Sequence, residues 1–218
     1  DNGSYPEARI TENSHRFRPL GLGYANLGCL MMSLAMPYDS DQARTWASAI
    51  TAILTGTAYT VSAELAGIKG PFAGYEKNKE PMQNVIAMHR DHAYNIPELH
   101  CPADLLSEAK NVWDNAFDAG QQFGYRNSQT TVLAPTGTIG FMMDCDTTGV
   151  EPDIALVKYK LLAGGGMLKL VNQTVPMALE RIGYSAEDIK SICDTIDKDD
   201  TIETADKLRK EHLPILDC

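Results

Sequence analysis

The sequence predicts an α/β fold, and three observations carry that prediction. Stretches of roughly ten to thirty residues repeat apolar side chains at i, i+3 and i+4; short β-branched and apolar runs fall between them; Gly and Pro mark the joins. At 44% hydrophobic and 22% charged, 218 residues carry enough apolar material for a substantial core and too little charge for disorder.

Residues 1–19 are polar and read as irregular, with Arg16, Arg18 and Pro19 marking the approach to the first helix. Residues 20–35 place Leu27, Leu30, Met31 and Leu34 on one side and small residues on another, which predicts a closely packed helix closed by Pro37. Gly21-Leu22-Gly23 resembles the start of a dinucleotide fingerprint. No strand precedes it, however, and Asn26 stands at the third glycine position, so the glycines are read as permitting close helix contact. Asp39 or Ser40 caps a long helix to about Gly67, its inward stripe read as Trp46, Ile50, Ile53/Leu54, Thr57/Ala58, Val61 and Leu65. A polar loop over residues 70–81 and a short helix over residues 82–92 follow.

His89, His92 and His100-Cys101 invite a zinc reading, but their spacing matches no zinc pattern and surface or capping roles are preferred. Pro102 opens an amphipathic helix that Gly124 ends, with Leu105/Leu106, Ala109, Val112/Trp113, Ala116/Phe117 and Phe123 inward. Residues 154–162 and 167–171 read as strands joined by Gly164-Gly165-Gly166. Thr174-Val175-Pro176 starts one helix and Ser185 a second, and residues 194–203 are acidic and expected in solvent.

The stretch with most chemical content is residues 129–152, QTTVLAPTGTIGFMMDCDTTGVEP. Residues 130–133 favour a short buried strand, which Pro135 stops because it has no N–H to give a ladder. Thr136-Gly137-Thr138-Ile139-Gly140 then leads into Phe141-Met142-Met143, read as the first turn of a short helix. Unsatisfied N–H groups, the helix dipole and a glycine that lets an anion approach the backbone suit a phosphate. The same string also suits an ordinary strand–turn–helix corner, and no Gly-Lys-[Ser/Thr] follows to make it a Walker loop.

A net charge of −10 without a basic cluster excludes a duplex nucleic-acid binder. Five widely spaced cysteines with no C-x-x-C pair argue against a disulfide scaffold and suit a reducing cytoplasm. No signal peptide or membrane-length apolar run is present, and the chain reads as a segment of something longer.

Arg18-Pro19-Leu20-Gly21-Leu22-Gly23, Arg126-Asn127-Ser128, Ala134-Pro135-Thr136-Gly137-Thr138-Ile139 and Thr148-Gly149-Val150-Glu151-Pro152 occur in an order that resembles ribonucleotide reductase. The form PTGTIGFMMDCDTTGVEPD, followed by Lys158-Tyr159-Lys160 and GGGMLKLVNQTVP, resembles the adenosylcobalamin-dependent class II enzymes over essentially the whole chain. The resemblance implies part of a ten-stranded α/β barrel, with residues 1–218 a single partial catalytic domain without its ends. It implies that Pro135, Thr136, Gly137, Thr138 and Ile139 hold the diphosphate of a ribonucleoside diphosphate, Thr138 being the main side-chain donor. It also implies a dithiol reductant such as thioredoxin, and an N-terminal barrel half bearing the Asn-x-Cys-x-Glu motif of the radical cysteine.

That motif does not occur in these residues. No catalytic residue and no metal ligand is therefore assigned, and the isolated segment is predicted inactive. Cys145 is read as a buried structural thiol, and Glu151 equally as a loop-fixing or a catalytic carboxylate. Two alternatives stand beside this reading: a large-chain segment served by a separate radical-generating subunit, and a non-catalytic split-gene piece that completes a barrel with another chain.

Overall fold

The computed structural model describes residues 3–218. In chain order it contains α1 (Ala8–Phe17), α2 (Leu27–Ser33), α3 (Asp41–Lys69), α4 (Tyr75–Tyr94), α5 (Ala103–Phe123) and α6 (Gly137–Met142). Strands β1 (Val157–Leu161) and β2 (Met167–Val171) follow, then α7 (Val175–Arg181), α8 (Ala186–Asp199) and α9 (Leu213–Leu216). The result is helix-rich, and among the described residues the only multi-residue ladder is the β1–β2 pair. No helix among them is long and apolar enough to cross a membrane. The chain divides into two compact units, residues 1–23 with 45–133, and residues 24–44 with 134–218.

In the first unit, α1 replaces the expected irregular stretch. It buries none of its residues. His15 and Arg16 sit in its last turn, where the helix dipole favours positive charge, and Phe17 packs against Phe72 of the core. The helix expected from residue 20 does not begin there. Leu20 and Leu22 run extended and parallel to residues 129–132: Leu20 N–H donates to Gln129 O (2.8 Å), Leu22 N–H to Thr130 O (3.0 Å) and Val132 N–H to Leu22 O (2.8 Å). Gly23 is required by that approach, since a Cβ there would overlap the Val132 carbonyl oxygen. The glycines thus permit close contact with an extended segment and not with a helix. The predicted strand at residues 130–133 is reduced to one bridge, Leu22 with Thr131. Thr130 is buried, whereas Val132 and Leu133 are exposed.

Ser40 caps α3 as expected, its Oγ accepting the Ala43 N–H at 3.1 Å. The inward face is not the predicted one. Thr45, Ala49, Gly56, Tyr59, Ser62, Ala63 and Ala66 are buried, while Val61 and Leu65 are 46% and 38% exposed. Close helix packing explains the shift: a Cβ on Gly56 would lie 2.6 Å from Val112 Cγ2, and Thr60 Oγ1 donates to Val112 O (3.1 Å). Small side chains let α5 approach, which larger ones on the rival face would prevent.

Helix α4 starts seven residues earlier than predicted and continues through Pro81. The proline frees the Lys77 carbonyl on the exposed side of the helix, where solvent can satisfy it. Helix α5 matches its predicted span and ends at Gly124, φ +72°. Trp113, Tyr59, Tyr75, Tyr125, Phe72 and Ile86 form the core between these helices.

In the second unit, α2 is short and begins at Leu27 behind Asn26, which adopts a left-handed conformation (φ +70°). Strands β1 and β2 form an antiparallel hairpin with Val157 opposite Val171 and Leu161 opposite Met167. Gly165 and Gly166 supply the positive φ its connection needs. Residue 154 lies outside β1, so the first strand is shorter than predicted. Ser185 caps α8, accepting the Asp188 N–H at 3.1 Å. The acidic stretch expected in solvent continues α8 to Asp199 and buries Ile202. Leu179, Ile192, Ile196, Val175, Met32 and Leu216 form this unit's core.

Candidate functional site

The loop predicted to matter lies wholly in the second unit. Helix α6 begins at Gly137, four residues before the predicted turn, because Thr136 takes a left-handed conformation (φ +51°, ψ +32°) and opens the helix itself. Gly140 N–H is bonded back to Thr136 O at 2.7 Å. The N–H groups ahead of it belong to the first turn, which has no intrahelical acceptors. A Cβ on Gly137 would meet nothing within 4 Å, so the backbone there is open to approach. Pro135, Gly137, Thr138 and Ile139 are exposed, and Thr136 is half-buried.

Thr138 stands on the wall of a cavity of about 640 Å³ that it shares with Phe141, Cys145, Asp146, Lys158 and Lys160. The Lys160 ammonium lies 4.1 Å from the centre of the Phe141 ring, which ties the hairpin to α6. Cys145 is half-buried on that wall, not fully enclosed as expected; its N–H donates to Gly140 O (3.0 Å), closing the end of α6. The residues that bring it there follow a left-handed Asp144 (φ +59°), which turns the chain sharply after the helix.

The return segment, residues 146–150, is bonded on every side. Thr147 is buried, and Asn26 Oδ1 accepts both its N–H (3.1 Å) and its hydroxyl (3.2 Å), while Thr147 Oγ1 accepts the Cys29 N–H (3.2 Å). Gly149 N–H donates to Thr136 Oγ1 at 2.7 Å. The Tyr38 hydroxyl donates to Val150 O; burial first, then the charges of Glu151 and Tyr24, push that phenol above its ordinary range. Glu151 is exposed, and its carboxylate lies where a Cβ on Gly149 would be, which fits a loop-fixing position.

A buried polar group adjoins the cavity wall. Lys158 Nζ donates to Asp153 Oδ1 (2.6 Å) and to Asp146 O (2.7 Å), and Asn172 Nδ2 donates to Asp153 Oδ2 (2.6 Å). The Asp146 carboxylate accepts from Gln173 N–H (2.9 Å) and the Thr174 hydroxyl (3.1 Å). The Asp153 side chain is only 2% exposed, so these partners stand in for water around its carboxylate.

The reading of single residues missed Asn26, Thr147, Asp153, Lys158 and Asn172. The signal available for Asn26 was its residue type, since asparagine is enriched at positive φ. For the others, partners up to 121 positions apart could not be paired from spacing. The histidine cluster resolves differently: His89 stacks on Trp113 (centroids 5.1 Å apart), in the first unit. Burial, and then His92, lower its basicity. Among the described residues no three His, Cys, Asp or Glu side chains are placed to hold a metal ion.

The family model described as ribonucleotide reductase, barrel domain, matches residues 1–218. The chain is 55% identical over 218 residues to a vitamin B12-dependent ribonucleotide reductase of Rhodopirellula baltica, covering 100% of this chain and 21% of that protein. It is 46% identical over 217 residues to the protein of that name in Streptomyces avermitilis, covering 98% and 22%. A vitamin B12-dependent ribonucleoside-diphosphate reductase of Mycobacterium tuberculosis is 26% identical over 192 residues, covering 88% and 22%. The chain therefore spans about a fifth of the length of these relatives.

Proposed function

The chain belongs to the ribonucleotide reductase barrel-domain family, and on that premise we propose that it forms part of the catalytic barrel of an adenosylcobalamin-dependent ribonucleoside-diphosphate reductase. Residues 135–139 hold the substrate's diphosphate in this reading. One observation carries it: the first turn of α6 opens at Gly137 with no Cβ and no neighbour above it, and Thr138 faces a cavity beside it. Gly137 and Ile139 offer backbone N–H groups, Thr138 offers N–H and hydroxyl, and Pro135 shapes the approach without competing as a donor. The names of the relatives support the cobalamin cofactor, and that of the Mycobacterium tuberculosis relative supports a diphosphate.

When bound, adenosylcobalamin supplies the radical that a cysteine passes to the ribose. The donor set described above suits a phosphate, and none of its residues is assigned to the corrin. This chain's part is to bind and orient the substrate through its charged end. Its residues lack the Asn-x-Cys-x-Glu string, so the abstraction step is assigned to the preceding half of the barrel, and the 218-residue segment alone gives no turnover. A thioredoxin-like dithiol completes the cycle in the full enzyme.

The test is equilibrium binding to the full-length natural protein. Thr138→Val removes one hydroxyl donor to a charged group. It should weaken ribonucleoside diphosphate binding about tenfold and leave the unphosphorylated nucleoside unaffected. Equal affinities for the diphosphate in variant and parent, with Gly137→Val equally without effect, overturn the loop assignment.

A further inference from the structure

Thr136 lies within the proposed phosphate loop, yet its side chain is already occupied. Its Oγ1 is the acceptor for Gly149 N–H at 2.7 Å, and it does not line the cavity that Thr138 lines. Its backbone is left-handed, a conformation that β-branched residues rarely adopt and that persists only where the surroundings impose it. The imposing element is the return segment. Gly149 is itself left-handed (φ +54°), and a Cβ there would lie 2.8 Å from Ala134 O and overlap the Glu151 carboxylate.

The segment is in turn fixed from α2. Asn26 Oδ1 takes two hydrogen bonds from Thr147, and Thr147 returns one to Cys29 N–H. Gly28 allows this closeness, since a Cβ on it would lie 2.9 Å from the Thr147 methyl and 3.0 Å from Glu151 O. A continuous path of hydrogen bonds and contacts thus runs from α2 through Thr147 and Gly149 to Thr136 and the opening of α6.

We propose that Thr136 and Thr147 are positioning residues, a two-part clasp that sets the direction of the α6 first-turn N–H groups, and that Thr136 is not itself a phosphate donor. The inference rests on the phosphate-loop reading above and divides that loop's threonines by role: Thr138 touches the ligand, and Thr136 shapes the backbone that does. A donor array aimed by its supports loses affinity when the supports are loosened, although every donor is still present.

The experiment uses the full-length natural protein and three variants, Thr136→Val, Thr147→Val and Thr138→Val, with Thr136→Ser as the conservative rescue. Two readouts are taken: equilibrium binding of a ribonucleoside diphosphate against its nucleoside, and amide hydrogen exchange over residues 147–150 without ligand. The clasp predicts that Thr136→Val and Thr147→Val each weaken the diphosphate about tenfold, spare the nucleoside and accelerate exchange at Gly149. Thr136→Ser should restore both within about twofold. If Thr147→Val does not fold, Asn26→Ala removes the same anchor from a half-buried position and carries the same prediction.

If Thr136→Val weakens diphosphate binding while neither anchor variant does, Thr136 is a direct ligand and the clasp is overturned. If Thr138→Val alone has an effect, the clasp falls and the loop reading stands. If all three valine variants bind diphosphate like the parent, the loop reading fails and takes the clasp with it.

Discussion

Replacing Lys158 by Met isolates the energetics of the polar group at the cavity wall. Its side chain is 18% exposed and pairs at 2.6 Å with Asp153, whose side chain is 2% exposed. The substitution keeps most of the unbranched apolar stem but leaves a carboxylate out of water with Asn172 as its remaining donor in the group. It also removes the bond to Asp146 O that ties the return segment to β1. Removing one partner of a buried ion pair costs roughly 3–5 kcal/mol, because the survivor's lost hydration is no longer offset. That corresponds to roughly two to four orders of magnitude in the opening equilibrium of the hairpin. The assay is amide hydrogen exchange in β1 and β2 of the full-length protein, which reports local opening without requiring the whole molecule to unfold in one step. Protection in both strands should fall at least a hundredfold. Adding Asp153→Asn should recover a large part of the loss, because the uncompensated charge is gone while an acceptor for Asn172 remains. An exchange rate within about fivefold of the parent in Lys158→Met would refute the reasoning, since it would mean that the carboxylate finds water or another cation.

Two further outcomes follow from the first unit. In Gly120→Ala, the new methyl would overlap the Tyr125 phenol, whose hydroxyl donates to Ala116 O at 2.9 Å; a destabilisation of roughly 1–3 kcal/mol is expected from overpacking. Denaturation midpoints should show that cost diminishing in a Tyr125→Leu background, which removes both the hydroxyl and the ring carbons that the methyl would meet. His89 is less basic folded than unfolded, through burial and then His92. Its stabilising neutral form is therefore fully present above the unfolded value of about 6.5, and stability falls as pH drops below that toward the lower folded value. His89→Phe keeps a ring on Trp113 and should flatten this decline in α4 and α5 exchange protection, corrected for intrinsic rates, between pH 7.5 and 5.5; an unchanged slope would remove His89 as its source.

Much of the fold was legible where the signal is local. Helix α5 announces itself by its apolar repeat and Gly124, α8 by Ser185 three residues before Asp188, and the hairpin by two apolar runs around three glycines. Where partners decide, reading failed. The α3 stripe was read on its larger side chains, and the smaller residues went inward because α5 approaches closely at Gly56. Residues 20–22 looked helical by composition but are drawn extended by pairing with residues 129–132.

For the site, the linear string was sufficient to mark residues 135–139 as a glycine- and threonine-bearing helix start, and to carry the family resemblance that the comparisons established. Those are properties of neighbours in sequence, where residue type dictates donors, flexibility and capping. The side chain that each threonine serves is a property of neighbours in space. Thr136 faces Gly149, Thr147 faces Asn26 and Lys158 faces Asp153 only because a left-handed turn and a hairpin fold the chain back on itself. Hydrogen bonds reach about three ångströms whatever the separation along the chain, so tertiary structure alone decides which of two chemically identical hydroxyls faces the cavity and which one holds the loop in shape.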